Sequence, residues 1–325
     1  MEQTGFQNRI DLSGLQLAVS NIKSEVNKII VGQDEMIELL IAAILADGHV
    51  LIEGVPGVAK TLTAKLLSRT MSVQFSRIQF TPDLMPSDII GTSVFNLKTS
   101  EFEFKQGPLF SNIVLIDEIN RAPAKTQSAL FEAMEERQIT VDGKTYPLTP
   151  PFIVLATQNP VEQEGTYRLP EAQLDRFIFK IEVDYPNLED ETRIIADFHS
   201  RKNSIDLNSV NSVMNANDVK SFRDKVGEIH IESHLISYIA KIVNQTRNNS
   251  SLYLGASPRA SLSILTTSKA IAAMRGRDFV TPDDIKFVAT PVLKHRVMLT
   301  PEKEMEGSTT TEVIKQIIEK IEVPR

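Results

Sequence analysis

The sequence predicts an α/β protein in which a parallel sheet, with helices on both faces, is followed by a helical domain. Up to about residue 186, short apolar runs alternate with segments of helical periodicity. Strands that alternate with helices in this way favour a parallel sheet. After Asp184-Tyr185-Pro186 the strand signals fade, and helical patterns continue to the end. We therefore predict an α/β domain over residues 1–186 and a helical domain over residues 187–325.

Each part of the predicted α/β domain has its own sequence signature. Apolar residues at helical spacing predict a helix over residues 15–30, and a second helix over 34–46 ends at Asp47-Gly48. A third helix, over 124–136, has Pro123 in its first turn, where proline is favoured. The apolar runs between the helices predict five strands, at residues 49–53, 73–79, 113–116, 152–157 and 177–183.

Two stretches interrupt the alternation and predict hairpins. Residues 91–109 alternate apolar and polar positions, and residues 139–148 surround Asp142-Gly143, which is a strong turn signal. In the second domain, Ser257-Pro258 and Thr281-Pro282 each place a capping hydroxyl before a first-turn proline. These two pairs predict helices that begin near residues 258 and 282.

The composition limits the classes of function. A net charge of −7 argues against a primary nucleic-acid binder, because the domains of such proteins are usually basic. No apolar run approaches the ~18 residues that a membrane span needs. The first residues lack the basic and apolar segments of a signal peptide. The chain has no cysteine, which excludes disulfides and thiolate sites. We expect a cytoplasmic protein.

The segment after the first strand predicts a phosphate-binding loop. It reads Gly54-Val55-Pro56-Gly57-Val58-Ala59-Lys60-Thr61, and the helix that it opens continues with Leu62. In such a loop the backbone N–H groups turn inward around phosphate oxygens, and the helix N-terminus adds its positive dipole end. We expect Lys60 to reach the β- and γ-phosphates of ATP and the Thr61 hydroxyl to bind Mg²⁺. The usual pattern has glycine at the position of Ala59, and we expect this alanine to adopt a helical conformation.

A second motif, Ile113-Val114-Leu115-Ile116-Asp117-Glu118, ends a predicted strand with two acids. At the carboxyl end of a strand beside the phosphate loop, Asp117 is suited to hold Mg²⁺, directly or through a water molecule. Glu118 is suited to polarise the attacking water as a general base. The alternative is a strand that runs into a solvated acidic turn, which is common for an isolated acid pair but disfavoured here by the phosphate loop upstream.

With these two motifs in place, the sequence resembles the MoxR family of AAA+ ATPases, in the branch that carries an insertion in helix 2. The resemblance runs from Val31-Gly32-Gln33 to the region of Arg259. It implies a five-stranded sheet of order 5-1-4-3-2, a helical lid domain, and hydrolysis of ATP with Mg²⁺. The hairpins would then be the helix-2 insert, at about 91–109, and the hairpin that precedes sensor 1, at about 139–148.

The resemblance also assigns roles to four further segments, each of which has a simpler alternative. Ala156-Thr157-Gln158-Asn159-Pro160 resembles sensor 1, so that Asn159 would bind the γ-phosphate or the attacking water, although an asparagine before proline is often a turn residue. Glu171-Ala172-Gln173-Leu174-Asp175-Arg176-Phe177 resembles the arginine-finger segment, in which Arg176 would reach a neighbouring subunit's nucleotide. The alternative for Arg176 is a surface ion pair with Asp175 or Glu171.

Gly255-Ala256-Ser257-Pro258-Arg259-Ala260 resembles sensor 2. A cation at a helix N-terminus opposes the helix dipole, which favours an anionic partner for Arg259. Whether Arg259 serves its own nucleotide or a neighbour's stays open at this point. Gly32 and Gln33 resemble the segment that lines the adenine pocket, and Gly32 could equally be a helix terminator.

The function that the resemblance implies is that of an ATP-driven remodelling motor or chaperone. Such a motor would form a homo-oligomeric ring, with six subunits expected, and would bind ATP between subunits. Its partners would be client proteins or proteins with a von Willebrand factor A domain, in complex maturation or metal-cofactor insertion. The competing interpretations are a motor subunit of a magnesium-chelatase type, a DNA- or RNA-dependent motor, and a scaffold that does not hydrolyse ATP. The acidic balance disfavours the nucleic-acid motor, and the presence of Glu118 and Arg176 disfavours the scaffold.

Overall fold

The structure is a computed structural model that describes residues 10–159, 167, 169–201 and 206–324. Pro160 of the predicted sensor 1 segment lies outside the described residues, as does most of the N-terminal segment that lacks signal-peptide features. Among the residues described, no helix is both long and apolar enough to cross a membrane.

The described elements follow the predicted order along the chain. The α-helices are α1 (Ser13–Asn27), α2 (Asp34–Leu45), α3 (Lys60–Thr70), α4 (Pro86–Ile90), α5 (Ala124–Glu136), α6 (Glu171–Leu174), α7 (Leu188–Ser200), α8 (Ala216–Glu228), α9 (Ser233–Arg247), α10 (Pro258–Met274), α11 (Pro282–Leu293), α12 (Pro301–Met305) and α13 (Thr310–Lys320). The strands are β1 (His49–Gly54), β2 (Phe75–Gln79), β3 (Gly91–Asn96), β4 (Glu101–Gln106), β5 (Ile113–Asp117), β6 (Gln138–Val141), β7 (Lys144–Pro147), β8 (Ile153–Gln158), β9 (Phe177–Val183), β10 (Leu252–Leu254) and β11 (Met298–Leu299).

Five strands form one parallel sheet in the order β2-β5-β8-β1-β9. When these five are counted along the chain and read from β9, the order is 5-1-4-3-2, which confirms the prediction. The central strand β8 lies between β1 and β5, so that Leu155 is beside both Val50 and Leu115. Residues 50–52, 113–116 and 153–156 are all buried, as expected for inner strands of a parallel sheet that helices cover on both faces. The strands β1, β5 and β8 therefore end side by side at the same edge.

Two antiparallel hairpins, β3–β4 and β6–β7, stand outside this sheet. They occupy the two stretches in which the sequence interrupts the alternation of strands and helices. The ring of Phe104 on β4 stacks on that of Tyr146 on β7, with ring centroids 4.5 Å apart. The aromatic contact joins the two hairpins into one projection from the α/β part.

After β9, the regular elements in the described residues are helices, apart from one short antiparallel pair, β10–β11. This pair departs from the expectation of a wholly helical region. Leu252 and Leu299 of the pair pack with Ile317 of α13, so that burial against a helix stabilises strands too short to give a sequence signal. The largest apolar cluster extends from α1 and α2 across one sheet face to α10 and α11, and it includes Ile37 and Ile271.

The turn between β1 and α3 positions the predicted phosphate loop. Gly57 has φ of 90°, and Ala59 has φ of 60° and ψ of 18°. The helical conformation expected for Ala59 is therefore wrong, because the residue is left-handed. The Ala59 carbonyl accepts the first α3 hydrogen bonds, from the backbone N–H and the hydroxyl of Thr63. Entering α3 directly from an inward-turned loop requires this conformation, which costs an alanine about 1–2 kcal/mol relative to a right-handed one.

A buried histidine, His49, begins β1 and ties this strand to α5 and β8. Its Nε2 donates to the Met134 carbonyl, and its Nδ1 accepts the Val154 N–H. Burial lowers the pKa of His49 to about 3, and the charge of Arg137 acts in the same direction. Burial likewise lowers the pKa of His295, whose Nε2 contacts the Phe177 carbonyl. The fold therefore holds both histidines in their neutral form.

We predict that Ala59→Gly raises the free energy of unfolding by about 1 kcal/mol, because glycine adopts a positive φ without the steric cost that alanine carries. Urea denaturation measures the change. Ala64→Gly is the control, because Ala64 lies in the regular interior of α3 and its replacement is expected to destabilise the protein. Equal losses of stability in the two variants would contradict a strained Ala59.

We also predict that stability falls as the pH drops from neutrality. Below about pH 6.5 the unfolded chain binds a proton at each of the two histidines, whereas folded His49 stays neutral to about pH 3. The free energy of unfolding should therefore fall by about 1.4 kcal/mol per pH unit for each buried histidine. Urea denaturation at about pH 7 and about pH 5.5 measures this slope. His49→Gln should remove its share of the slope, and an unchanged slope would show that His49 does not contribute.

Candidate nucleotide site

A cavity of about 370 Å³ lies where β5 and β8 end and α3 begins. Because β1, β5 and β8 are adjacent and parallel, their carboxyl ends bring the phosphate loop, the acid pair and Asn159 to the same place. Polar groups at strand ends of this kind are where ligands bind in open α/β sheets. The cavity is lined by Pro56, Gly57, Val58, Ala59, Lys60, Thr61, Leu62, Arg77, Gln79, Asp117, Glu118, Thr157 and Asn159.

Lys60 is half-buried at the start of α3, and its ammonium donates to the carbonyl oxygen of Gly54. Burial lowers its pKa, while the negative charges of Asp117, Glu118 and Glu53 act in the opposite direction. The ammonium is thus held in the loop by one backbone oxygen and by carboxylates across the cavity. Phosphate oxygens would offer it stronger, charge-assisted hydrogen bonds at the same position.

Asp117 is buried at the end of β5, and both of its oxygens have partners. Its Oδ2 accepts from the Nε of Arg77 at 2.6 Å, and its Oδ1 accepts from the Thr157 hydroxyl at 3.2 Å. Magnesium in proteins is typically held by one or two carboxylates together with substrate phosphates. One carboxylate, with the Thr61 hydroxyl in the same cavity, fits that donor set. The guanidinium on Oδ2 shows that the position accepts a positive charge.

Glu118 follows directly, with a left-handed backbone of φ 57°. Its N–H donates to the Thr157 hydroxyl, at 3.1 Å. Its Oε2 lies 2.9 Å from both the Gln79 amide nitrogen and the Nε of Arg121. In this conformation two donors hold the carboxylate that the sequence predicts to act as a base. Both donors bind Oε2, and a carboxylate has a second oxygen that is able to accept a proton from water.

Two cavity residues, Arg77 and Gln79, were not found by sequence reasoning. They are two positions apart on β2, so their side chains point to the same face, and β2 places them beside Asp117 and Glu118 through its pairing with β5. The available signal was a pair of polar residues at alternating positions in a predicted strand. Which side chain each would contact depends on the pairing of β2 with β5.

The structure does not bring Gly32 and Gln33 to the phosphate cavity. They line another cavity, of about 640 Å³, together with residues 180–187 and parts of α11 and α13. Gly32 has φ of 73°, and a Cβ there would lie 2.5 Å from a carboxylate oxygen of Asp190. Gly54 and Val55 also lie outside the phosphate cavity lining. A Cβ at Gly54 would lie 2.5 Å from the Val183 carbonyl oxygen. Gly54 is therefore required by the backbone of Val183, whereas Gly32 is favoured by its positive φ, because the Asp190 side chain is able to move.

Arg176 and Arg259 lie at the amino ends of the strands, where β1 and β9 begin, whereas the phosphate cavity lies at their carboxyl ends. Arg176 directly precedes β9, whose first residue pairs with the first residue of β1, whereas the phosphate loop follows the last residue of β1. Six residues of strand separate the two ends by about 20 Å. The ion pair that the structure describes for Arg176 is with Glu135. The alternative interpretation had expected a surface ion pair with Asp175 or Glu171. Both arginines contact the Glu135 carboxylate, Arg176 at 2.6 Å and Arg259 at 2.9 Å.

Comparison with known proteins agrees with this arrangement. The sequence profile of the ATPase family associated with various cellular activities (AAA) matches residues 49–179, and that of the AAA lid domain matches residues 244–317. The chain is 45% identical over 299 residues to the uncharacterized protein YeaC of Bacillus subtilis, with 92% of each chain covered. It is 42% identical over 310 residues to chaperone MoxR1 of Mycobacterium tuberculosis, with 93% of this chain and 81% of the relative covered.

A solved structure gives the same result. A crystal structure of a protein from Cytophaga hutchinsonii, assigned as an ATPase, matches with a TM-score of 0.88 and 44% identity over 95% of this chain and 96% of that one. The AAA profile spans the phosphate loop, the acid pair and Asn159, which are the residues that line the cavity. From the shared fold, this cavity and relatives that match over most of their length, we conclude that the chain belongs to the MoxR family of AAA+ ATPases.

Proposed function

We propose that this protein binds ATP in the cavity at the end of β5 and β8, hydrolyses it between two subunits of a ring, and uses the energy to remodel partner proteins. One observation carries the proposal. Lys60, Thr61, Asp117, Glu118 and Asn159, which are far apart in sequence, line one cavity with an inward-turned loop. This set supplies a phosphate cradle, two magnesium ligands, a base and a polar group for the attacking water.

The residues of the cavity divide the chemistry among them. The loop N–H groups and the ammonium of Lys60 bind and orient the phosphates, and Thr61 and Asp117 would hold magnesium. Bound magnesium would neutralise charge on the β- and γ-phosphates. Asn159 orients the attacking water, and the Glu118 carboxylate accepts its proton while Gln79 and Arg121 fix the carboxylate through Oε2.

The ring follows from the separation of the arginines and the phosphate cavity. Arg176 and Arg259 lie about 20 Å from this cavity along β1 and β9, so a second copy must supply the equivalent arginines to it. A contact between the arginine edge of one subunit and the phosphate edge of the next is head-to-tail, and such contacts close into rings when the rotation permits. The resemblance to MoxR proteins favours six subunits.

The remodelling role rests on the relatives. The Mycobacterium tuberculosis relative is named a chaperone. The resemblance to the MoxR family implies that ATP hydrolysis drives the remodelling of a bound protein. A protein with a von Willebrand factor A domain is the partner class that the resemblance favours. Affinity capture with a variant that binds ATP but does not hydrolyse it is the direct way to identify the partner.

We predict that Glu118→Gln lowers steady-state ATP hydrolysis at least about 100-fold, because it removes the general base, while ATP remains bound. Phosphate release measures turnover, and titration with a fluorescent ATP analogue measures binding. Lys60→Ala should lose both binding and turnover. Glu132→Gln, which removes an exposed carboxylate on α5, is the matched control and should retain both. Undiminished turnover in Glu118→Gln would exclude Glu118 as the base.

A further inference from the structure

The carboxylate of Glu135 joins the two arginines that the proposed function assigns to a neighbour's nucleotide. Glu135 is the penultimate residue of α5. Its Oε2 lies 2.6 Å from Nη2 of Arg176, and its Oε1 lies 2.9 Å from Nη2 of Arg259. We propose that Glu135 is a positioning residue that holds Arg176 and Arg259 as one preorganised pair for the phosphates of the adjacent subunit. The inference rests on the proposed function, and it assigns a new residue to it.

Arg176 contacts an aromatic ring of α5 as well as the Glu135 carboxylate. Its guanidinium carbon lies 5.6 Å from the centre of the Phe131 ring, one turn before Glu135 on α5. The Nε of Arg176 is buried and has no hydrogen-bond partner among the described residues. One nitrogen of the guanidinium is therefore committed to Glu135, and the ring limits its tilt.

Arg259 belongs to a different part of the chain, at the start of α10, and is held to the same place by a second set of contacts. Ser257, the N-cap residue of α10, donates from its hydroxyl to Asp175 Oδ2 at 3.0 Å. The buried Arg296 contacts Asp175 Oδ1 at 2.7 Å and also donates to the Phe177 carbonyl. The residue next to Arg176 is thus tied to the helix start that carries Arg259. Glu135 adds a direct link between the two guanidinium groups, because its carboxylate contacts both.

The local charge explains why a carboxylate is needed there. The cavity that Glu135 lines, of about 340 Å³, is also lined by four arginines, Arg137, Arg176, Arg259 and Arg296. Arg137 and Arg296 pair with Asp47 and Asp175, which line the same cavity, so that Glu135 is the carboxylate that Arg176 and Arg259 share. The guanidinium groups of Arg176 and Arg259 repel each other, and Arg259 is half exposed, so without Glu135 it would extend into solvent. An incoming phosphate would then have to order two separate cations. With Glu135 present, their geometry is set before the phosphate arrives, and preorganised charge is what stabilises a phosphoryl transition state.

The test exploits the fact that these arginines serve a neighbour. Glu135→Gln keeps the size of the side chain but removes its negative charge and replaces one of the two accepting oxygens by a donor. We expect it to lower ATP hydrolysis at least about tenfold, with unchanged binding of a fluorescent ATP analogue and unchanged assembly in sedimentation velocity. Glu136→Gln, which changes the exposed carboxylate at the next position of α5, is the matched control and should behave as the wild type.

A mixing experiment separates a role toward the neighbour from a role within the subunit. Lys60→Ala subunits cannot use ATP but carry an intact Glu135 and both arginines. Mixed rings of Glu135→Gln and Lys60→Ala should therefore hydrolyse ATP well above the sum of the two separate variants. Subunits that carry both substitutions should give no such recovery when they replace Lys60→Ala. Arg176→Ala is mixed with Lys60→Ala in parallel.

The outcomes distinguish this inference from the proposed function. Recovery with both Arg176→Ala and Glu135→Gln supports Glu135 as a positioning residue for the shared site. Recovery with Arg176→Ala but not with Glu135→Gln overturns the role of Glu135 and leaves the shared site intact. Absence of recovery in both mixtures overturns the shared arginine site and, with it, the proposed role of Glu135. Full activity of Glu135→Gln alone also overturns it.

Discussion

The functional site depends on the opposition of one ammonium and two carboxylates at the ends of adjacent parallel strands. Lys60 lies in the loop and helix that follow β1, Asp117 ends β5 and Glu118 follows it, and β8 lies between the two strands. Burial lowers the pKa of Lys60, whereas the negative charges of Asp117 and Glu118 raise it. The ammonium and the two carboxylates therefore stabilise one another in their charged forms. The two acids are paired with cations in turn, Asp117 with Arg77 of β2 and Glu118 with Arg121, which lies just after β5. Both acids are therefore in ion pairs in the free protein.

These ion pairs bear on the proposed reaction. A guanidinium on one oxygen of Asp117 competes with magnesium for that oxygen. Binding of a magnesium nucleotide would supply the positive charge that Arg77 now gives to Asp117. Where β1 and β9 begin, the Glu135 carboxylate lies between Arg176 and Arg259 and, by our proposal, keeps them in place for the phosphates of the adjacent subunit.

Much of the fold could be predicted from the sequence, because its signals are local. Short apolar runs predict the buried strands, and caps such as Ser257-Pro258 predict the helix starts. The glycines of the phosphate loop predict its turn. The five-stranded sheet and its order are confirmed. The placement of Lys60, Thr61, Asp117, Glu118 and Asn159 in one cavity was expected for the same reason, since parallel strands end at a common edge. Their catalytic roles remain proposals.

The rest depends on contacts between distant segments. The partners of Arg77, Gln79 and Glu135 are set by strand pairing and by the approach of α5 to α10, which no local pattern encodes. The left-handed Ala59 was mistaken for a helical residue because alanine gives no sign of strain in sequence. For Gly32, the structure adds a positive φ of 73° and the approach of Asp190, which no local pattern shows, and the expected adenine contact stays a prediction.

The central claim is that a magnesium nucleotide replaces the ion pairs of the cavity, and the most direct measurement is an experimental structure of the protein with a non-hydrolysable ATP analogue and Mg²⁺. The account predicts phosphates within hydrogen-bond distance of the Lys60 ammonium, the metal between Thr61 and Asp117, and Arg77 moved away from Asp117. A nucleotide bound elsewhere, or an Asp117–Arg77 pair unchanged beside bound phosphates, would contradict it.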